Sequence, residues 1–226
     1  MQIAGLQKLT VLDFPGKVAC TLFTPGCNFL CPFCHNGELV FDREKHRIPE
    51  EDFFAFLHKR HGLLDGVCIS GGEPTLQKDL EDFILRVREM GYQVKLDTNG
   101  TRPEVLANLL DEGLLDYVAM DVKSGPKGYS RAAGVLVDLV NVQRSVDMLM
   151  AGETPYEFRT TLGRGLHGPE DMTAMGKWLQ GASILALQTF VDAGSVIQPG
   201  LSAFSPQEMR DMADLVTPYV DQVLVR

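Results

Sequence analysis

Short apolar runs and amphipathic stretches alternate along the whole chain. Residues 18–23, 67–70, 93–97, 117–122, 156–161, 184–189 and 222–225 read as strands. Most are continuous apolar runs rather than apolar–polar alternations, the pattern of parallel strands covered on both faces. Between them, residues 49–59, 79–90, 103–111, 135–150, 170–179 and 206–217 space their apolar side chains three and four apart and read as helices. Ser205-Pro206-Gln207-Glu208 is a helix start in itself, with capping Ser and Glu around a Pro at the first helical position. About six strand-then-helix units in succession predict an α/β fold, a parallel sheet with right-handed crossovers. A complete eight-unit barrel takes about 250 residues. At 226 residues, the chain predicts a partial, open β/α barrel of about six units. No repeat, low-complexity tract or linker interrupts it, so a single domain over 1–226 is expected. In such folds the chemistry gathers at the carboxyl ends of the strands.

Charge narrows the partners. Lys plus Arg is 21 against 30 Asp plus Glu, a net charge of −9, which lacks the basic footprint that nucleic acid or an anionic membrane requires. The apolar runs fall far short of the ~20 residues that span a bilayer. Residues 1–8 show no apolar signal core. A cytoplasmic protein is expected, with no nucleic-acid and no membrane partner. Five cysteines are too few and odd in number for a disulfide framework, so clustered ones point to metal or catalysis.

The cluster follows the first expected strand. Residues 24–36 read Thr-Pro-Gly-Cys-Asn-Phe-Leu-Cys-Pro-Phe-Cys-His-Asn, which places Cys27, Cys31 and Cys34 in the spacing C-x3-C-x2-C. Zinc normally takes four protein ligands in paired spacing, and His35 adjoins Cys34 too closely to share one tetrahedral ion easily. Three thiolates on one loop suit three corners of a [4Fe–4S] cluster, with one iron left open for a substrate. Zinc, a redox dithiol and inert core cysteines are the alternatives.

The spacing, with Phe33 before the third cysteine, resembles the radical S-adenosylmethionine (SAM) superfamily. The wider context is similar to its glycyl-radical activating enzymes, on Leu12-Asp13-Phe14-Pro15-Gly16, Cys34-His35-Asn36, Ser70-Gly71-Gly72-Glu73-Pro74, Asp97-Thr98-Asn99-Gly100 and Asp121-Val122-Lys123. The resemblance runs from about residue 5 to about residue 165. It implies a [4Fe–4S] cluster on Cys27, Cys31 and Cys34, with SAM chelating the open iron. One-electron cleavage of SAM then yields a 5′-deoxyadenosyl radical, which makes a glycyl radical on a partner enzyme. The Asp13-Phe14-Pro15-Gly16 start and the loop around Cys34 point to anaerobic ribonucleotide reductase as that partner, with flavodoxin or ferredoxin as electron donor. A small-molecule enzyme of the deazaguanine-synthase kind is the runner-up. A non-catalytic iron–sulfur electron carrier stands further off, having no use for an open iron.

The other motifs sit at expected strand ends. Gly71 and Gly72 permit close backbone approach and, with Glu73, are implied to hold the SAM ammonium; a plain β-to-α turn is the alternative. Asp97 and Asp121 are carboxylates at neighbouring strand ends and need a partner such as Lys123 or a cation. The resemblance implies a monovalent cation on Asp97, Thr98, Asp121 and the backbone of Ala119, near the SAM carboxylate. A helix cap at Asp97 and a surface pair between Asp121 and Lys123 are the ordinary readings. Asn99 completes its motif, Phe33 and His35 are implied to flank adenine, and Gln188 is a candidate for ribose or adenine. Arg159 stands to bind a carboxylate or the protein substrate, or to form a buried ion pair. Cys20 and Cys68 are expected in the core, His46, His58 and His61 in solvent, and His167 in a turn.

Overall fold

The computed structural model describes residues 1–34, 36–41, 47–192 and 196–226. Among these, the strands are β1 (Gly5–Thr10), β2 (Ala19–Thr24), β3 (Gly66–Gly71), β4 (Gln93–Thr98), β5 (Tyr117–Asp121), β6 (Tyr156–Leu162), β7 (Ile184–Thr189) and β8 (Gln222–Val225). The helices are α1 (Gly37–Phe41), α2 (Glu50–Lys59), α3 (Leu80–Glu89), α4 (Pro103–Asp111), α5 (Tyr129–Ala133), α6 (Leu139–Ala151), α7 (Pro169–Trp178) and α8 (Pro206–Val216), with a 3-10 turn at Pro74–Leu76. The strands follow one another in chain order through an open, mostly parallel eight-stranded sheet. This is the expected α/β class. No helix among the described residues is long and apolar enough to cross a membrane.

The chain forms two compact units. The first comprises residues 1–28, 38–98 and 102–119. Here β2 runs parallel to β3, from Ala19 opposite Gly66 to Thr24 opposite Gly71, and β3 runs parallel to β4. α2 turns Phe53, Phe54 and Leu57 inward, and α3 does the same with Phe83, Ile84 and Val87. The Phe53 and Phe83 rings stack with centroids 5.4 Å apart. Both helices carry acids in the first turn and bases in the last, matching the helix dipole.

The second unit comprises residues 29–37, 99–101 and 120–226. β6, β7 and β8 are parallel, with Phe158 opposite Leu185 and Leu185 opposite Val223. Tyr129 is fully buried, edge-on to Trp178 at 5.7 Å and to Phe29 at 6.4 Å. α8 starts as expected: Ser205 Oγ accepts from the Glu208 N–H at 3.3 Å, and Glu208 Oε2 accepts from the Ser205 N–H at 2.8 Å.

Two departures have physical causes. β1 is antiparallel to β2 and breaks register between Gln7 and Thr10; its exposed Gln7, Lys8 and Leu9 hide it from a search for apolar runs. The helix expected from residue 135 begins at Leu139, because Asp138 caps the Val140 N–H at 3.0 Å. Gly134 at φ +70° has already ended the short α5.

Candidate functional site

In the first unit, the turn after β3 is pressed against the start of the cysteine loop. The Gly72 N–H donates to the Thr24 carbonyl at 2.9 Å, and the Glu73 N–H to the Gly26 carbonyl at 2.8 Å. A Cβ on Gly72 would stand 2.0 Å from the Gly26 oxygen and 3.2 Å from the Cys27 nitrogen. Gly71, at φ +118°, would put one 2.3 Å from the Thr24 nitrogen. Only glycine allows this approach. Gln77 Nε2 adds a bond to the Pro25 carbonyl at 3.1 Å, so the backbone leading into Cys27 is held from two sides.

Glu73, 1% exposed, faces inward. Its Oε1 accepts from the Thr75 N–H at 3.1 Å, from Thr75 Oγ1 at 2.5 Å and from Thr98 Oγ1 at 2.8 Å. That ties the end of β4 to the turn after β3. Thr75 escaped the sequence reading; the only cue was its place two residues after an acid at a turn, where the acid caps the backbone. Asp97 is not a helix cap. Its Oδ2 accepts from Ser70 Oγ at 2.9 Å, and its Oδ1 is ion-paired with Lys95. Lys95 was likewise missed, because it lies inside an apolar strand. Ala119 is wholly buried in β5.

The second unit contains the other two cysteines of the motif. Cys31 and Phe33 are buried, and the Cys34 N–H closes a turn on the Cys31 carbonyl at 2.9 Å. Burial pushes the Cys31 thiol up to about 11, with Lys123 pulling against it, and burial also raises Cys34. Asp121 takes Arg159 Nε at 2.9 Å on Oδ1 and Lys123 Nζ at 3.1 Å on Oδ2. Arg159 is therefore in an ion pair, one of its two expected roles. Burial depresses the Lys123 ammonium, but Asp121, followed by Cys31 and Tyr129, outweighs it and holds the group above its ordinary value. The same ammonium lies 6.0 Å from the Phe33 ring centre.

His167 is more than a turn residue. It is 6% exposed and stands 6.1 Å from Phe33, ring centre to ring centre. Its Nδ1 accepts from the Gly163 N–H at 3.2 Å, and its Nε2 lies 2.8 Å from the Lys123 carbonyl. A backbone N–H can only donate and a carbonyl only accept, so the partners assign the neutral tautomer protonated on Nε2. Burial lowers its affinity for a second proton, against the upward pull of those backbone bonds. Asn99 Oδ1 accepts from the Thr101 N–H at 3.0 Å and Oγ1 at 2.7 Å, shaping the turn after β4. Gln188 meets Thr161 Oγ1 at 3.4 Å. His35 and His46 lie outside the described residues. Cys20 and Cys68 are in the core and His58 and His61 are exposed, as expected.

By residue type and spacing the three cysteines suit an iron–sulfur cluster, although among the described residues no three His, Cys, Asp or Glu side chains are gathered in metal-holding geometry. No disulfide joins the five cysteines, and burial favours the neutral thiol at Cys31 and Cys34, a preference that a bound metal would have to overcome. The close approach that requires Gly71 and Gly72 is taken up by the backbone leading into Cys27, which it braces.

The sheet, the cysteine spacing and the glycine turn together define an α/β protein with a three-cysteine loop at the end of its second strand. Residues 21–166 match the family model of the radical SAM superfamily, and the chain belongs to that superfamily. Its members use a [4Fe–4S] cluster and SAM. The chain is 33% identical to a Methanocaldococcus jannaschii protein named "Putative glycyl-radical enzyme activating enzyme", covering 99% of this chain and 95% of that one. It is 30% identical to a Thermococcus kodakarensis protein named "Probable GTP 3′,8-cyclase", over 65% of this chain and 48% of that one. A solved domain of pyruvate-formate lyase-activating enzyme from Bacteroides vulgatus shares the fold, with a TM-score of 0.58 at 17% identity over 71% of this chain and 98% of that one.

Proposed function

We propose that this radical SAM enzyme generates a glycyl radical on a partner enzyme, anaerobic ribonucleoside-triphosphate reductase, acting as one domain in the cytoplasm with flavodoxin or ferredoxin as electron source. The observation that carries the reading is the near end-to-end match to a chain named as a glycyl-radical enzyme activating enzyme. Cys27, Cys31 and Cys34 would hold the [4Fe–4S] cluster. When bound, the cluster and SAM supply one-electron cleavage of a sulfonium to a carbon radical.

The residues of the chain bind, orient and shield. Gly71 and Gly72 bring backbone to the SAM ammonium, while Glu73 braces that turn through Thr75 and Thr98. Asp97, Asp121 and Lys123 supply charges for the amino and carboxylate groups, and Asn99 and Gln188 offer amides to the nucleoside. Phe33 provides an aromatic face for adenine, with His35 beside it in sequence. Arg159 holds Asp121 in place. His167, neutral and fixed at both nitrogens, supports Phe33 and the backbone of Lys123.

The test is to load the protein anaerobically with iron and sulfide, reduce it, and add SAM with the reductase. The expected result is a glycyl doublet by electron paramagnetic resonance. A doublet on another glycyl-radical enzyme and none on the reductase would replace the partner. Turnover of a purine-like small molecule with no protein radical would favour the runner-up, as the similarity to a GTP 3′,8-cyclase would lead one to check.

A further inference from the structure

Family resemblance implies an alkali ion on Asp97, Thr98, Asp121 and the Ala119 backbone, but the first unit already carries a cation at the end of β4. Lys95 stands two residues before Asp97, so the two side chains leave the strand on the same face. The Lys95 side chain is 1% exposed and that of Asp97 12%, and the two are ion-paired. Around the ammonium lie Cys68 Sγ at 3.8 Å and the Tyr117 ring at 6.0 Å. The second carboxylate oxygen of Asp97 receives Ser70 Oγ at 2.9 Å. Thr98, on the opposite face, donates its hydroxyl to Glu73.

Away from water an ammonium and a carboxylate each carry a large desolvation cost that their contact offsets, so the pair is held by mutual need. An alkali ion brought to the same carboxylate would meet an ammonium already in contact with it, and like charges a few ångströms apart repel strongly away from bulk water. In the second unit Asp121 has two cations of its own, Lys123 and Arg159. The donor set therefore does not fit an added monovalent ion.

We propose that Lys95 is a built-in cation, a positioning residue that neutralises and orients Asp97 in place of a bound alkali ion. This rests on the reading of the β4 end as part of a SAM site. The consequence is that SAM binding in this enzyme is independent of sodium and potassium.

The test measures SAM affinity of the cluster-loaded protein by equilibrium dialysis in sodium, potassium and choline chloride at one ionic strength. Wild type should bind with dissociation constants equal within about twofold in all three. Lys95→Arg should behave alike. Lys95→Met should bind about tenfold more weakly in choline and recover in sodium or potassium, as a small ion enters the vacated place. Tenfold tighter binding of SAM by wild type in sodium or potassium than in choline would overturn the proposal. So would a folded Lys95→Met that binds like wild type in every salt. If Lys95→Met does not fold, the wild-type salt comparison decides alone. If no SAM binds in any salt, the SAM reading fails. The role of Lys95 is then judged by thermal unfolding: a sodium- or potassium-specific rise in wild-type Tm overturns it, and equal midpoints in all three salts support it.

Discussion

The turn after β3 in the first unit and the end of β5 in the second are fixed by different physics. In the first, shape decides: Gly71 and Gly72 bring the turn after β3 into backbone contact with the start of the cysteine loop, and an added methyl would overlap the Gly26 oxygen at 2.0 Å. In the second, charge decides: one carboxylate, Asp121, gathers Lys123 and Arg159, and a neutral imidazole bridges two backbone groups. Backbone contact is all or nothing, whereas a charge cluster can be weakened by degrees. Breaking the glycine contact should therefore remove the site, and weakening the charge cluster around Asp121 should retune it.

The largest effect lies with the cysteines. Cys27→Ala, Cys31→Ala or Cys34→Ala should each abolish the cluster, read as loss of iron, sulfide and visible absorbance. Cys20→Ala and Cys68→Ala should keep it, since both thiols sit in the core and burial pushes Cys20 up to about 12. Tightly bound zinc and no iron after anaerobic purification would overturn the cluster altogether.

Next is Gly72→Ala, expected to cost about 3 kcal/mol in denaturant unfolding through backbone overlap and to lose cluster loading with it. Loading at wild-type level would mean the contact is adjustable, and the comparison between units would collapse. Asp121→Asn should leave the cluster in place and weaken SAM binding about tenfold, roughly 1.4 kcal/mol. An Asp121→Asn protein without a cluster would show that charge is as indispensable here as shape is in the first unit.

His167 sharpens the electrostatic side through pH. Its affinity for a proton is lowered in the folded chain, so the unfolded chain takes the proton up first. Its contribution to stability is full above the ordinary histidine value of about 6.5 and drains away as pH falls through it. Wild type should lose stability below that pH more steeply than His167→Gln, measured by urea unfolding at a series of pH values. Parallel curves would remove His167 from the account. The smallest effect belongs to Ser205→Ala at the start of α8, which should cost about 1 kcal/mol from the lost cap and leave SAM affinity unchanged.

Much of the fold was legible because parallel strands buried on both faces have to be apolar throughout. The expected strands at 184–189 and 222–225 coincide with β7 and β8, and the others are displaced by a residue or so at one or both ends. β1 was not legible, since an edge strand with exposed polar residues carries no such mark. Within the site, the cysteine spacing and the glycine pair stood out because each demands one residue type. Lys95, Thr75 and His167 did not, because lysine, threonine and histidine serve many ends and only their neighbours reveal which.

The α/β class and the three-cysteine loop could be read from the chain alone, since periodicity and spacing act along it, whereas the need for glycine at 71 and 72 comes from backbone at Thr24 and Gly26, far away in sequence. Tertiary structure decided the partners of the charges: Lys95 for Asp97, Lys123 and Arg159 for Asp121, and two backbone groups for His167. Electrostatic pairing depends on distance and burial, and residues 38 positions apart such as Asp121 and Arg159 acquire both only when the strands are laid side by side.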